Sequence, residues 1–128
     1  MTTELTKGVS WIGVVDWGLR HFHGFELSTH RGSTYNAYLV RDEKIAVVDT
    51  VWGPFSEQFI ETLSKLVDPA RIDYVVANHA ESDHSGSLPA LMRLAPNATI
   101  VCSRKGAESI PGHYHQDWPT TVVKTGDS

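Results

Sequence analysis

The sequence predicts an α/β fold, on three observations. Residues 33–48 show a strand-turn-strand pattern, helical and strand patterns alternate after it, and the runs at 72–77 and 98–102 are short and nearly all apolar. A hairpin feeding alternating helix and strand builds helices against a sheet. A short apolar run between turns is the mark of a strand inside that sheet. A length of 128 residues suits one domain.

The elements follow in order. Val9 to Val15 (Val-Ser-Trp-Ile-Gly-Val-Val) reads as a strand. Asp16 to Gly32 is polar and punctuated by glycine, and it carries three of the seven histidines, with no clear periodicity. Ser33 to Val40 alternates towards Tyr35, Ala37 and Leu39 and reads as a second strand. The charged turn Arg41-Asp42-Glu43-Lys44 leads into Ile45-Ala46-Val47-Val48, so the two strands are expected to pair as a hairpin. Asp49 closes that strand. Pro54 opens a helix, where its missing N–H is no loss. Phe55, Phe59, Ile60, Leu63, Leu66 and Val67 recur at helical spacing until Asp68-Pro69 stops them. Ile72 to Ala77 has the apolar signature of a strand covered on both faces. A polar loop follows, Asn78 to Gly86. Leu88, Leu91, Met92 and Leu94 then make a short helix that ends at Pro96-Asn97. Ala98 to Cys102 is a buried-looking strand, Ser103 caps a brief helix over Arg104 to Ser109, and Val122-Val123 begins a last strand.

Composition narrows the function. The chain is 41% hydrophobic and 20% charged, an ordinary globular balance. Eleven Lys and Arg against fifteen Asp and Glu give a net charge of −4, which speaks against a dedicated nucleic-acid binder. No apolar run approaches the ~20 residues that span a bilayer, and the N-terminus lacks a secretory pattern. No membrane partner is expected. Cys102 is the single cysteine, so no internal disulfide can form and a reducing, cytoplasmic setting is expected.

The chemistry concentrates in the loop after the 72–77 strand. His79-Ala80-Glu81-Ser82-Asp83-His84 places four metal-competent side chains in six residues. In α/β sheets ligands sit beyond the carboxyl ends of strands, and this loop leaves a strand at that end. In an extended loop, His79 and Glu81 would point the same way and share one ion. Asp83 and His84, at the turn into the next helix, could face a second. Without a cation the two carboxylates repel. Imidazole and carboxylate suit iron, manganese or zinc. The plainer alternative is a solvated polar loop with a helix cap from Asp83 or Ser85.

These residues resemble the flavodiiron proteins, in the first part of their metallo-β-lactamase-like domain. The resemblance also runs through Val15-Asp16-Trp17, Phe22-His23-Gly24, Arg31 to Leu39, Asp49-Thr50-Val51, Ile72-Asp73-Tyr74, Asn78 to Pro89 and Val122 to Asp127. It implies the first half of an αββα sandwich, with residues 1–128 as the N-terminal portion of a diiron domain. It implies that His79 and Glu81 bind one iron and that Asp83 and His84 bind the other, with His84 the residue that in some relatives does not bind directly. His23 matches a position near the diiron pocket, where it would touch substrate or iron-bound water, or serve as a buried structural histidine. The wider hydrolase superfamily carries histidine where Glu81 stands, so Glu81 points to a redox iron site. The implied parent reduces nitric oxide or dioxygen with electrons from FMN. It takes them from a rubredoxin-like donor and forms a homo-oligomer.

The family pattern also needs a bridging Asp, two further His and a flavodoxin-like FMN domain, all downstream of Asp127. This chain alone is therefore expected to hold an incomplete diiron site, no FMN and little or no activity. His21 and Trp52 depart from the family pattern, which has an acidic and a polar residue there. His113 and His115 match a His-rich surface turn, and Asp16 and Asp49 read as turn and strand-end residues. Two other functions stand beside this reading: a metal-dependent hydrolase of the same superfamily, and a non-catalytic remnant.

Overall fold

The structure, a computed structural model, describes residues 3–16, 21–22, 27–28, 33–78, 82–114, 118–124 and 126–127. The chain opens with strands β1 (Thr3–Thr6), β2 (Val9–Trp11), β3 (Val14–Asp16), β4 (His21–Phe22), β5 (Leu27–Ser28) and β6 (Ser33–Tyr35). The predicted hairpin is β7 (Tyr38–Arg41) and β8 (Ile45–Val48). A 3-10 turn at Gly53–Phe55 holds Pro54 and feeds helix α1 (Ser56–Leu66). After it come β9 (Tyr74–Val76), α2 (Ser82–Ser85), α3 (Leu88–Leu94), β10 (Thr99–Cys102), α4 (Arg104–Tyr114) and β11 (Thr120–Val122).

Seven of these strands form one sheet in the order β1-β2-β7-β8-β9-β10-β11. The β1, β2, β7 and β8 pairings are antiparallel, and β8 to β11 run parallel. Parallel neighbours need a crossover, and helices supply each one: α1 from β8 to β9, α2 and α3 from β9 to β10, α4 from β10 to β11. Two small ladders, β3 with β6 and β4 with β5, stand beside the sheet.

The two faces of the sheet differ. Ser10, Leu39, Val47, Val75 and Ile100 lie opposite one another in register, and all are buried. Phe59 and Leu63 of α1 and Leu88, Leu91 and Met92 of α3 join that face in the core. The adjacent register row, on the other face, is Trp11, Tyr38, Val48, Val76 and Val101, and every one is only half-buried. The expected covering of β9 on both faces is thus corrected: Tyr74 is exposed and Val76 half-buried.

Several boundaries move from the sequence reading: the loop read over Asn78 to Gly86 contains the helical turn α2, and the last strand, expected to begin at Val122, ends there. Val9 to Val15 is two strands because its partner changes from β7 to β6. Ile12 N–H bonds the Ala37 carbonyl at the switch, at 2.9 Å. Gly13 allows the crossing, since a Cβ there would run into the Tyr35 carbonyl. Ser33 to Val40 breaks at the same place, where Asn36 accepts from the Trp11 indole at 3.0 Å. Helix α4 runs past Ser109 to Tyr114 and contains Pro111. Burial of Ile110 and the anchoring of Tyr114 outweigh the hydrogen bond that proline removes. Strand β1 adds an edge that the sequence did not announce.

Candidate metal centre

The predicted ligand loop leaves the end of β9, and three consecutive residues after β8 hold its two ends. Asp49 has φ of +60°, a left-handed backbone that Asp tolerates better than most residues. Its N–H bonds the Val76 carbonyl at 2.8 Å, extending the parallel pairing by one residue. Its carboxylate faces Asn78, the residue before His79. Oδ1 accepts from the Asn78 backbone N–H at 2.9 Å, and Oδ2 accepts from the Asn78 side-chain amide at 3.1 Å.

Thr50 is buried and holds the other end. Its N–H and its hydroxyl both donate to the His84 carbonyl, at 2.8 and 3.0 Å. The same hydroxyl oxygen accepts from the Ser87 N–H at 3.3 Å. The Val51 carbonyl accepts from the Ser87 N–H at 2.9 Å and from the Ser87 hydroxyl at 3.0 Å. A serine hydroxyl has one proton to give, so Ser56 is the donor in its 2.8 Å bond to Ser87. Ser85 meets the Tyr114 hydroxyl at 2.6 Å, which ties the loop to the last turn of α4.

Of the predicted ligands, the side chain of His84 is described. It is half-buried on α2, with Nδ1 shut off from solvent. The backbone of Asp83 lies in α2, and its side chain lies outside the described residues. His79, Glu81 and His23 lie outside them altogether, as do His115 and the His113 side chain. Among the described residues no three His, Cys, Asp or Glu side chains gather to hold a metal. The donor chemistry of the loop, two imidazoles and two carboxylates, fits non-haem iron.

Two neighbouring features complete the surroundings. Asp16, read as a turn residue, is buried at the end of β3 and accepts from the Tyr35 hydroxyl at 2.7 Å. Tyr35 also packs against Trp52 and Phe55, with ring centroids 6.2 and 5.8 Å away. A cleft of about 810 Å³ opens at the carboxyl ends of β9, β10 and β11, lined by Asn78, Cys102, Arg104, Lys105, Lys124 and Asp127. Burial pushes the Cys102 thiol above its ordinary value. Cys102 is therefore a buried small hydrophobe in this strand, not an activated nucleophile.

With this geometry in view, residues 30–126 match the family model of the metallo-beta-lactamase superfamily. The chain belongs to this superfamily. Within it, the chain is 51% identical to a nitric oxide reductase of Moorella thermoacetica, over 97% of its own length and 31% of that protein's. It is 46% identical to an anaerobic nitric oxide reductase flavorubredoxin of Vibrio vulnificus, over 100% of itself and 26% of that protein. Among solved structures it superposes on rubredoxin oxygen:oxidoreductase from Desulfovibrio gigas with a TM-score of 0.92 and 41% identity, covering 99% of this chain and 32% of that one. The flavodiiron protein of Giardia intestinalis gives 0.89 and 38%, covering 97% and 30%. The chain thus spans about three tenths of the length of the relatives it matches. The resemblance to flavodiiron proteins holds in both sequence and fold.

The residues that sequence reasoning missed are Thr50, Ser87 and Tyr114. Thr50 meets His84 across 34 positions, and Ser85 meets Tyr114 across 29. Neither separation carries a periodic signal. The one cue was the short hydroxyl-rich run Ser85-Gly86-Ser87 beside the ligand pattern.

Proposed function

We propose that this chain is the first part of a flavodiiron oxidoreductase that reduces nitric oxide, dioxygen or both at a non-haem diiron site. The observation that carries the reading is the His79-to-His84 donor run at the end of a parallel strand, with its flanks fastened by Asp49 and Thr50. Similarity to nitric oxide reductases and to a rubredoxin oxygen:oxidoreductase supports it.

In this reading His79 and Glu81 hold one iron and Asp83 and His84 the other. Iron, when bound, supplies the electrons that a small diatomic takes up. The residues of this chain give that chemistry its setting. Glu81 and Asp83 put negative charge beside the metals and favour the ferric state, where a neutral histidine at position 81 would suit a Lewis-acidic hydrolase. His23 is a candidate to contact substrate or to hold a proton near it. The remaining ligands and the FMN belong to parts of the parent outside these 128 residues. A rubredoxin-like protein supplies its electrons. A cytoplasmic homo-oligomer is the expected form. No helix among the described residues is long and apolar enough to cross a membrane.

The test uses the parent protein, reduced, and follows consumption of nitric oxide and of oxygen. Glu81→His is expected to lower turnover by tenfold or more while the melting temperature moves little. Unchanged rates in that variant would refute the role given to Glu81. A parent that hydrolyses thioesters or lactams and consumes neither gas would replace the redox reading with the hydrolase one.

A further inference from the structure

We propose that Thr50 is a positioning residue for the ligand loop, acting through the His84 carbonyl and the Ser87 amide. The inference rests on the reading of residues 79–84 as metal ligands. Asp49 fastens the entry to the loop through Asn78, and Thr50 fastens the exit. The two residues are adjacent in the chain, so one short segment holds both ends of the loop.

The bonding at Thr50 is redundant in a revealing way. The His84 carbonyl receives both the Thr50 N–H and the Thr50 hydroxyl. The Ser87 N–H reaches both the Thr50 hydroxyl and the Val51 carbonyl. Removing the hydroxyl leaves each partner with one hydrogen bond, so no buried polar group is stranded. What is lost is the link between the two partners. The hydroxyl joins the last predicted ligand to the first turn of α3, which is anchored in the core through Leu88 and Leu91. A side chain that only filled space would need no such bridge. Fixing the His84 carbonyl limits how α2 can rotate, and with it the direction in which the His84 imidazole leaves the backbone. Outer groups of this kind orient metal ligands without touching the metal.

The test compares the parent protein, metal-free, with its Thr50→Val and Thr50→Ser variants. Valine keeps the branched shape and removes the hydroxyl, and serine restores the hydroxyl. Amide hydrogen exchange is followed residue by residue, by mass spectrometry with fragmentation. In Thr50→Val the amides of residues 84–87 are expected to exchange about fivefold faster, the fold-change equivalent to losing one net hydrogen bond. The Asn78 amide, held by Asp49, and the Val47 and Val75 amides in the sheet are expected to keep their rates. Thr50→Ser is expected to return residues 84–87 to the wild-type rate. Equal acceleration of every amide, or none of any, would overturn the proposal.

A titration with Fe2+ alone, in the same three proteins, separates this inference from the function on which it rests. Weaker uptake in Thr50→Val with recovery in Thr50→Ser supports both. If the exchange pattern holds while His79→Ala leaves Fe2+ uptake unchanged, the loop is positioned as proposed but is not the ligand set. If uptake depends on His79 and is indifferent to Thr50, the ligand reading stands and the positioning role falls.

Discussion

Among the described residues, Cys102 and Tyr114 carry the clearest pH signature. Burial raises the Cys102 thiol, and burial raises the Tyr114 hydroxyl against the opposing hydrogen bond from Ser85. Both groups are neutral when protonated, so the folded state prefers the protonated form. Their contribution to stability is intact below the ordinary ionisation range and is lost as pH rises through the raised folded values. Denaturant unfolding is expected to show falling stability above about pH 8.5, where unfolded thiols ionise first. Thiol alkylation is expected to run much slower in the folded chain than in urea. At the same scale, the four proposed donors of the loop stand out in the sequence because metal chemistry favours close spacing and particular residue types. Their supports were not. A hydrogen bond from Thr50 to His84 depends on which strands are neighbours, and no local pattern encodes that.

Helix α4 shows what an element adds to its residues. Ser103 was legible as its cap, and its hydroxyl accepts from the Gly106 N–H at 3.1 Å. Ser103→Ala is expected to lower stability by about 1 kcal/mol, read from the denaturation midpoint at unchanged slope. The far end of α4 was not legible, because Pro111 is a stop signal in sequence terms. Tertiary contact at Ile110 and Tyr114 overrides it. The surface pair Glu61–Lys65 on α1, at 3.4 Å with both side chains largely exposed, has no comparable leverage. Strand identity was easier to read than strand extent. The β7–β8 hairpin emerged as predicted, since its turn is local. The split between β2 and β3 was hidden, because it is caused by a change of partner, which Gly13 permits but does not announce.

At the scale of the whole molecule, the two faces of the sheet set its behaviour in solution. One face is sealed by α1 and α3, and the other presents Trp11, Tyr38, Val48, Val76 and Val101 half-buried in a row. A contiguous apolar strip of this kind promotes association. The 128-residue chain on its own is expected to self-associate, with sedimentation showing a mass that grows with concentration. A monomer that stays monomeric at high concentration and melts sharply would contradict this. The α/β class was legible from the alternation of elements. The unequal covering of the two faces was not, because the run from Ile72 to Ala77 reads the same whether one side or both are packed.

The division of the sheet into an antiparallel half and a parallel half also orders events in time. The β7–β8 hairpin closes over the three residues 42–44 and can form early. The bond between Thr50 and His84 spans 34 positions and needs the α1 crossover and β9 already in place. Contacts of such long separation are costly to form before the topology exists. Substitutions at the 42–44 turn are therefore expected to slow refolding in stopped-flow experiments. Loss of the Thr50 hydroxyl, which loosens only the exit of the loop, is expected to leave the refolding rate alone. The proposed metal loop is thus the last part of the fold to be drawn tight and the first to be let go. A bound ion would act on how long the molecule stays folded, not on how fast it gets there.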